Sequence, residues 1–186
     1  MKGWTIFGVI AAIIIAIAAV VIMGYNGLVQ QNEDVNSKWA QVENQLQRRA
    51  DLIPNLVNTV KGYAAHEQEA IKAVSEARAK LAGAEGVANK SEANNELSSA
   101  LSRLLMVVEN YPNLKADQNF RALQDELAGT ENRLAVARKD YNDVVQSFNT
   151  KVKTIPTSIY AGMLGFSQRE YFKADEASKQ TPQVKF

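Results

Sequence analysis

Residues 35–81 read VNSKWAQVENQLQRRADLIPNLVNTVKGYAAHEQEAIKAVSEARAKL. Within them Val35, Trp39, Val42, Leu46, Arg49, Ile53, Leu56, Val60, Tyr63, Glu67, Ala70, Val74, Ala77 and Leu81 follow one another at spacings of four and three without a slip. An apolar seam of that period lies on one face of an α-helix and has to be covered by other helices. Pro54 falls inside the stretch. Either it kinks the helix, or Asp51 caps a new helix with Pro54 in its first turn, where a missing N–H is harmless. A break or kink at Asp51–Pro54 is the expectation, because an unbroken seam outruns its partners unless a second copy covers it.

Upstream, Ile6 to Met23 contains only Ile, Val, Ala, Met, Phe and Gly8, with Lys2 the last charge before it and Glu33 the first after it. At about 1.5 Å per residue such a run spans a hydrocarbon core of about 30 Å. A transmembrane anchor over residues 1–25 is predicted. A cleaved signal peptide is the alternative, with Ala16-Ile17-Ala18 as its cleavage site, but the apolar run is longer than a signal core. Lys2 before the run, against Glu33 and Asp34 after it, favours a cytoplasmic N-terminus and an extracytoplasmic domain. Gly24 onward leaves roughly 160 residues, enough for one domain.

Downstream, Gly83-Ala84-Glu85-Gly86 ends the first segment. Ser91 is read as the N-cap of a helix to about Asn110, with Leu97, Leu101, Leu104 and Val108 on one face. Tyr111-Pro112-Asn113 breaks it. Asp117 is read as the cap of a long helix to about Lys153, with a seam of Phe120, Leu123, Leu127, Thr130, Leu134, Ala137, Tyr141, Val144 and Phe148, stopped by Pro156. No strand alternation is present. The fold class is therefore all-α: the anchor followed by an antiparallel up-and-down bundle of three to four long helices over residues 26–172, and a polar, flexible tail over 173–186.

Charge is balanced, with 21 Lys and Arg against 20 Asp and Glu, so no basic stripe points to nucleic acid. The absence of Cys excludes a disulfide scaffold, an iron–sulfur site and a thiol nucleophile. His66-Glu67 begins like the zinc motif H-E-x-x-H, but position 70 is Ala70 and His66 is the one histidine. No catalytic, metal or cofactor site is predicted. Charge at a seam position needs a partner, so Arg48, Arg49, Glu67, Thr130 and Glu131 are predicted to form a polar layer in which Arg48 or Arg49 meets Glu131; solvation of the charges is the alternative. Gly62 and Gly129 are read as points of close helix approach. Ile159, Tyr160, Met163, Leu164 and Phe166 form an apolar cluster that caps the bundle end, lies on the bilayer or docks a partner.

Several motifs carry a resemblance. Tyr25-Asn26-Gly27-Leu28-Val29, Trp39-Ala40-Gln41-Val42-Glu43, Gln47-Arg48-Arg49-Ala50-Asp51-Leu52-Ile53-Pro54-Asn55-Leu56-Val57, Tyr111-Pro112-Asn113-Leu114, Thr130-Glu131-Asn132-Arg133-Leu134 and Tyr171-Phe172 resemble the LemA family, from the anchor to about Phe172. Ile155 departs from it, standing where an aromatic often precedes the Pro. The resemblance implies a bacterial, single-pass membrane protein with a four-helix bundle, no established enzymatic activity and no catalytic residues to carry over. It also implies a cytoplasmic bundle, the opposite of the charge reading.

Two functions fit these residues. The first is a non-enzymatic, membrane-tethered scaffold that presents a helix face to a protein partner or to copies of itself in the bacterial inner membrane. The other is a sensor or regulator of envelope state that works with a membrane protease, with Pro54 relaying a change along the helix. The lipid bilayer is the partner expected in both.

Overall fold

The computed structural model describes residues 2–64 and 66–173, with the backbone alone at Lys2, Gly3 and Thr5. Apart from Lys173, the predicted tail lies outside the described residues. The elements are α1 (Lys2–Tyr63), α2 (Gln68–Gly83), α3 (Gly86–Val108), α4 (Pro112–Ala116), α5 (Gln118–Lys153) and α6 (Thr157–Tyr160). No strand occurs among the described residues. By internal contacts the chain divides into two compact units: Met1–Trp39 with Asn142–Arg169, and Ala40–Tyr141 with Glu170–Phe186.

In the second unit, cross-links in order give the topology. Arg78 reaches Ala50, and Lys80 reaches Glu96, so α2 runs antiparallel to both α1 and α3. Arg48 meets Glu126 while Tyr63 meets Asp117, so α5 runs antiparallel to α1. This is an up-and-down four-helix bundle. Its core takes Val42, Leu46, Ile53, Leu56 and Val60 from α1, Val74 and Leu81 from α2, Leu97 and Leu104 from α3, and Phe120 and Leu134 from α5. Each such side chain contributes roughly 1.5–3 kcal/mol by leaving water. The seam predicted from period 3.5 is thus the core.

Of the break or kink expected at Asp51–Pro54, the break is absent. α1 runs through Pro54 and ends at Tyr63. Asp51 is no cap; its carboxylate accepts from Gln47 Nε2 at 2.8 Å. Pro54 offers no N–H to the Ala50 carbonyl four residues back, and Arg78 Nε donates to that oxygen at 2.7 Å instead. The helix ends nine residues later at Tyr63, and beyond it Glu67 N bonds back to Ala64 O at 3.1 Å. The seam slips there: Tyr63 is exposed, and α2 buries Ile71 where Ala70 was expected.

Asp117 is the cap of α5, as the sequence indicates: Phe120 N donates to Asp117 Oδ1 at 2.9 Å. Ser91 is not a cap. α3 opens five residues earlier at Gly86, whose φ of 77° makes the turn into it, and the Ser91 hydroxyl is buried, donating to Lys173 O at 2.7 Å. Val145 rather than Val144 is buried in α5, since 3.6 residues per turn drifts from a strict heptad.

In the first unit, α1 passes from an apolar stretch into a packed one. Ile6, Ile14, Val20 and Met23 are exposed, whereas Leu28 and Val35 are fully covered. α1 is the one described helix long and apolar enough to cross a membrane. Gly24 and Gly27 are where side chains approach α1 closely. A Cβ on Gly24 would collide with the Tyr160 hydroxyl, and one on Gly27 with the Lys151 ammonium. The predicted close approaches at Gly62 and Gly129 are corrected: nothing lies within 4 Å of a Cβ at Gly62, and only the Arg133 guanidinium lies near one at Gly129. Gly62 stands one residue before the end of α1 and is exposed, so it weakens a helix about to end.

Candidate functional site

The most unusual side chain in the bundle is Arg49, which occupies an apolar seam position and is only 5% exposed. Its Nη1 donates to Asn94 Oδ1 at 2.8 Å and lies 2.6 Å from Glu131 Oε2. The carboxylate oxygen sits off the N–H direction, so the Glu131 contact is an ion pair and not a directed hydrogen bond. Burial lowers the Arg49 pKa from its ordinary value; the Glu131 charge opposes that, and Arg138 adds to it. Asn94 Nδ2 and Glu131 Oε2 are both buried without a hydrogen-bond partner.

Beside this pair is a wetter cluster. Arg48 donates through Nε and Nη2 to Glu126 Oε1, at 2.9 and 2.7 Å, and Arg133 Nη2 reaches the same oxygen at 3.0 Å. These guanidinium groups, Arg48 first, hold the Glu126 carboxyl below its ordinary range. Buried Thr130 donates to the Glu126 carbonyl at 2.8 Å and accepts from Arg133 Nη2 at 3.2 Å.

Arg48, Arg49, Thr130 and Glu131 are therefore brought to one level of the bundle, and Glu67 is not. Fourteen helical residues separate Arg49 from the end of α1, about 21 Å. Glu67 lies in the turn beyond, accepting from Tyr111 Oη at 2.8 Å. That bond raises the Tyr111 pKa. The sequence reading missed Asn94, Glu126 and Arg133. Asn94 could have been found, since it precedes Leu97, Leu101 and Leu104 at the seam spacing. Glu126 could not, because nothing local marks it.

At the other end of α5, the apolar cluster is split. Tyr160 is buried on Gly24. Phe166 packs edge-on to Tyr25 and Phe148, with ring centroids 5.9 and 6.4 Å away. Ile159, Met163 and Leu164 stay exposed. The sequence treated all five as one surface because it could not show which face α1 would cover.

The arrangement can hold helices in register and present surfaces, and it offers little for chemistry. Among the described residues, no group of three or more His, Cys, Asp or Glu side chains could hold a metal ion. A groove of about 920 Å³ is an open trough between α2 and α3 lined by Glu76, Lys80, Glu92, Glu96 and Arg103. Lys80 there donates to Glu96.

These features define a helical-bundle protein carrying an apolar N-terminal helix. Residues 38–186 match the LemA family model, and the chain belongs to the LemA family. It is similar to magnetosome protein MamQ 2 of Paramagnetospirillum magneticum, 28% identical over 200 residues, covering 92% of this chain and 74% of that protein. Magnetosome protein MamQ of Magnetospirillum gryphiswaldense is 27% identical over 201 residues, with the same coverage. Protein LemA of Metamycoplasma hominis is 23% identical over 155 residues, covering 83% of this chain and 71% of its own.

Proposed function

We propose that this protein is a non-enzymatic, single-pass scaffold of the bacterial cell membrane, whose bundle presents helix faces to a protein partner or to copies of itself. The observation that carries this reading is the continuity of α1. Its uncharged stretch from Ile6 to Met23 leaves its large apolar side chains without protein cover, and the same helix goes on to supply the bundle core. Only lipid can cover such a run. The bundle has a candidate contact surface in the shallow groove of about 530 Å³ lined by Gln41, Asn44, Gln45, Arg133 and Val136, with Val136 62% exposed. Lys2 before the apolar run, with no Lys or Arg after it until Lys38, supports an extracytoplasmic bundle.

The test is full-length protein in cells carrying a photoreactive residue at Val136. The protein stays in the membrane pellet after alkaline extraction, and irradiation gives a discrete self-adduct or a single foreign adduct. Release by alkali removes the anchor from the reading, and a smear of chance neighbours removes the scaffold.

A further inference from the structure

After α5 the chain passes the cis Ile155–Pro156 bond, forms the short helix α6 and continues in turns to Gly165. Ser158 N bonds to Thr154 O at 2.8 Å, Ala161 N to Thr157 O at 2.9 Å, and Leu164 N to Tyr160 O at 3.1 Å. Within residues 157–164, residues four apart therefore share a face. One face, Thr157, Tyr160 and Ala161, is buried. The other carries Ile159 and Met163, 69 and 80% exposed, and Ile155, 81% exposed, stands just ahead of it beyond the cis bond. Single exposed apolar residues are ordinary, but three large ones within nine residues with none covered are not.

What fixes this segment in space is the anchor. Its buried face meets α1 at Gly24, through the Tyr160 hydroxyl, and Phe166 meets Tyr25. Those are the first two residues after Met23, which ends the apolar run. Trp4 and Tyr25 stand 21 residues apart, about 31 Å along a helix, the thickness of a hydrocarbon core, and aromatic residues favour its two boundaries. The segment is thus held at the level where α1 leaves the bilayer. Lys151 lies over Gly27, and Lys153 follows at the end of α5. That pairing of apolar face and basic rim matches a lipid surface with anionic headgroups better than it matches a protein groove.

Resting on the membrane-anchored reading, we infer that residues 155–164 form an interfacial foot. Ile155, Ile159 and Met163 insert at the boundary of the same bilayer that α1 crosses. The protein then has two membrane contacts, one through α1 and one beside it, and the foot restricts how the helix tilts.

The test uses the full chain in vesicles of phosphatidylcholine and phosphatidylglycerol. The protein has no Cys, so Ile159→Cys, Met163→Cys, Ile14→Cys and Ser37→Cys each carry one spin label. Accessibility is read to oxygen, which concentrates in lipid, and to a water-soluble nickel chelate. Ser37 is exposed on α1, thirteen residues or about 20 Å past Gly24, and reports water. The expected result is an oxygen-to-nickel ratio at 159 and 163 several-fold above that at 37. Ratios at 159 and 163 equal to that at 37 overturn the foot while 14 still reads lipid. Protection from both quenchers at 159 and 163 marks a protein contact and also overturns it. An aqueous reading at 14 overturns the anchored reading itself.

Discussion

The Nε of Arg78 lies 2.7 Å from the carbonyl oxygen of Ala50, the oxygen that Pro54 leaves without its helical donor. A side chain from α2 thereby substitutes for a backbone N–H of α1. A proline inside a helix removes one bond and crowds the turn before it. Here the lost bond is replaced by a donor 28 residues away, and α1 continues.

Arg78→Ala is expected to destabilise the protein by about 1–2 kcal/mol, because Ala50 is buried and its carbonyl loses a charged donor. In a Pro54→Ala background the backbone N–H returns, and the same change is expected to have less than half that effect. Thermal melts of the four detergent-solubilised proteins give a coupling of about 1 kcal/mol. Additive effects would show that Arg78 does not serve the proline site.

This pair also shows what the sequence could not convey. The helix was legible over residues 35–60 because its seam repeats every three and four residues and each seam member but Trp39 is buried. Break and kink could not be told apart because Pro54 is a local signal answered by a distant arginine. The true stop at Ala64–Glu67 is hidden, since Tyr63 and Glu67 keep the seam spacing while their side chains turn to Asp117 and Tyr111. An arginine–Glu131 pairing, by Arg48 or Arg49, was legible from a charge on one seam and a carboxylate beside Thr130 on another, whereas the Arg48–Glu126–Arg133 cluster follows from helix rotation, which no spacing records.

Arg49 and Glu131 are not equivalent halves of their pair. Arg49 is buried, while the Glu131 side chain is 43% exposed overall, with Oε2 alone buried against Arg49, so a small rotation brings that oxygen to water. Removing the carboxylate leaves a buried cation; removing the cation leaves a carboxylate that solvates itself. Glu131→Gln is therefore expected to cost about 1–3 kcal/mol, and Arg49→Met less than about 1 kcal/mol. Denaturant unfolding of both variants checks the order. The reverse order would place the stabilisation in the Arg49–Asn94 hydrogen bond.

Two carboxylates should govern the acid limb of stability. The backbone N–H of Phe120 holds the Asp117 carboxyl below its ordinary value of 3.8, with help from Tyr63. Arg48 holds that of Glu126 below 4.5. A folded-state pKa below the unfolded one gives stability that is fully present above the unfolded value and is lost as pH falls through the folded one. The melting temperature is expected to drop as pH falls below about 4.5, the higher of the two ordinary values. Asp117→Asn, which keeps the cap, and Glu126→Gln should each flatten that drop. Unchanged acid limbs in both variants would assign it to other groups.

The two glycines of α1 beneath the C-terminal segment separate rigid from yielding neighbours. A methyl at Gly24 meets the hydroxyl of Tyr160, a side chain only 8% exposed and without room to swing. A methyl at Gly27 meets the tip of Lys151, which is free to move towards water at little cost. Alanine is otherwise the better helix former by about 1 kcal/mol. Gly27→Ala is thus expected to be neutral or slightly stabilising, and Gly24→Ala destabilising by about 1–3 kcal/mol through forced repacking. Limited proteolysis between residues 155 and 166 reads the second effect directly, as faster cleavage in Gly24→Ala than in the parent. Tyr160→Phe removes the colliding oxygen and should restore part of the protection in the double variant. Equal cleavage of the parent and both alanine variants would mean that the segment is not held at Gly24.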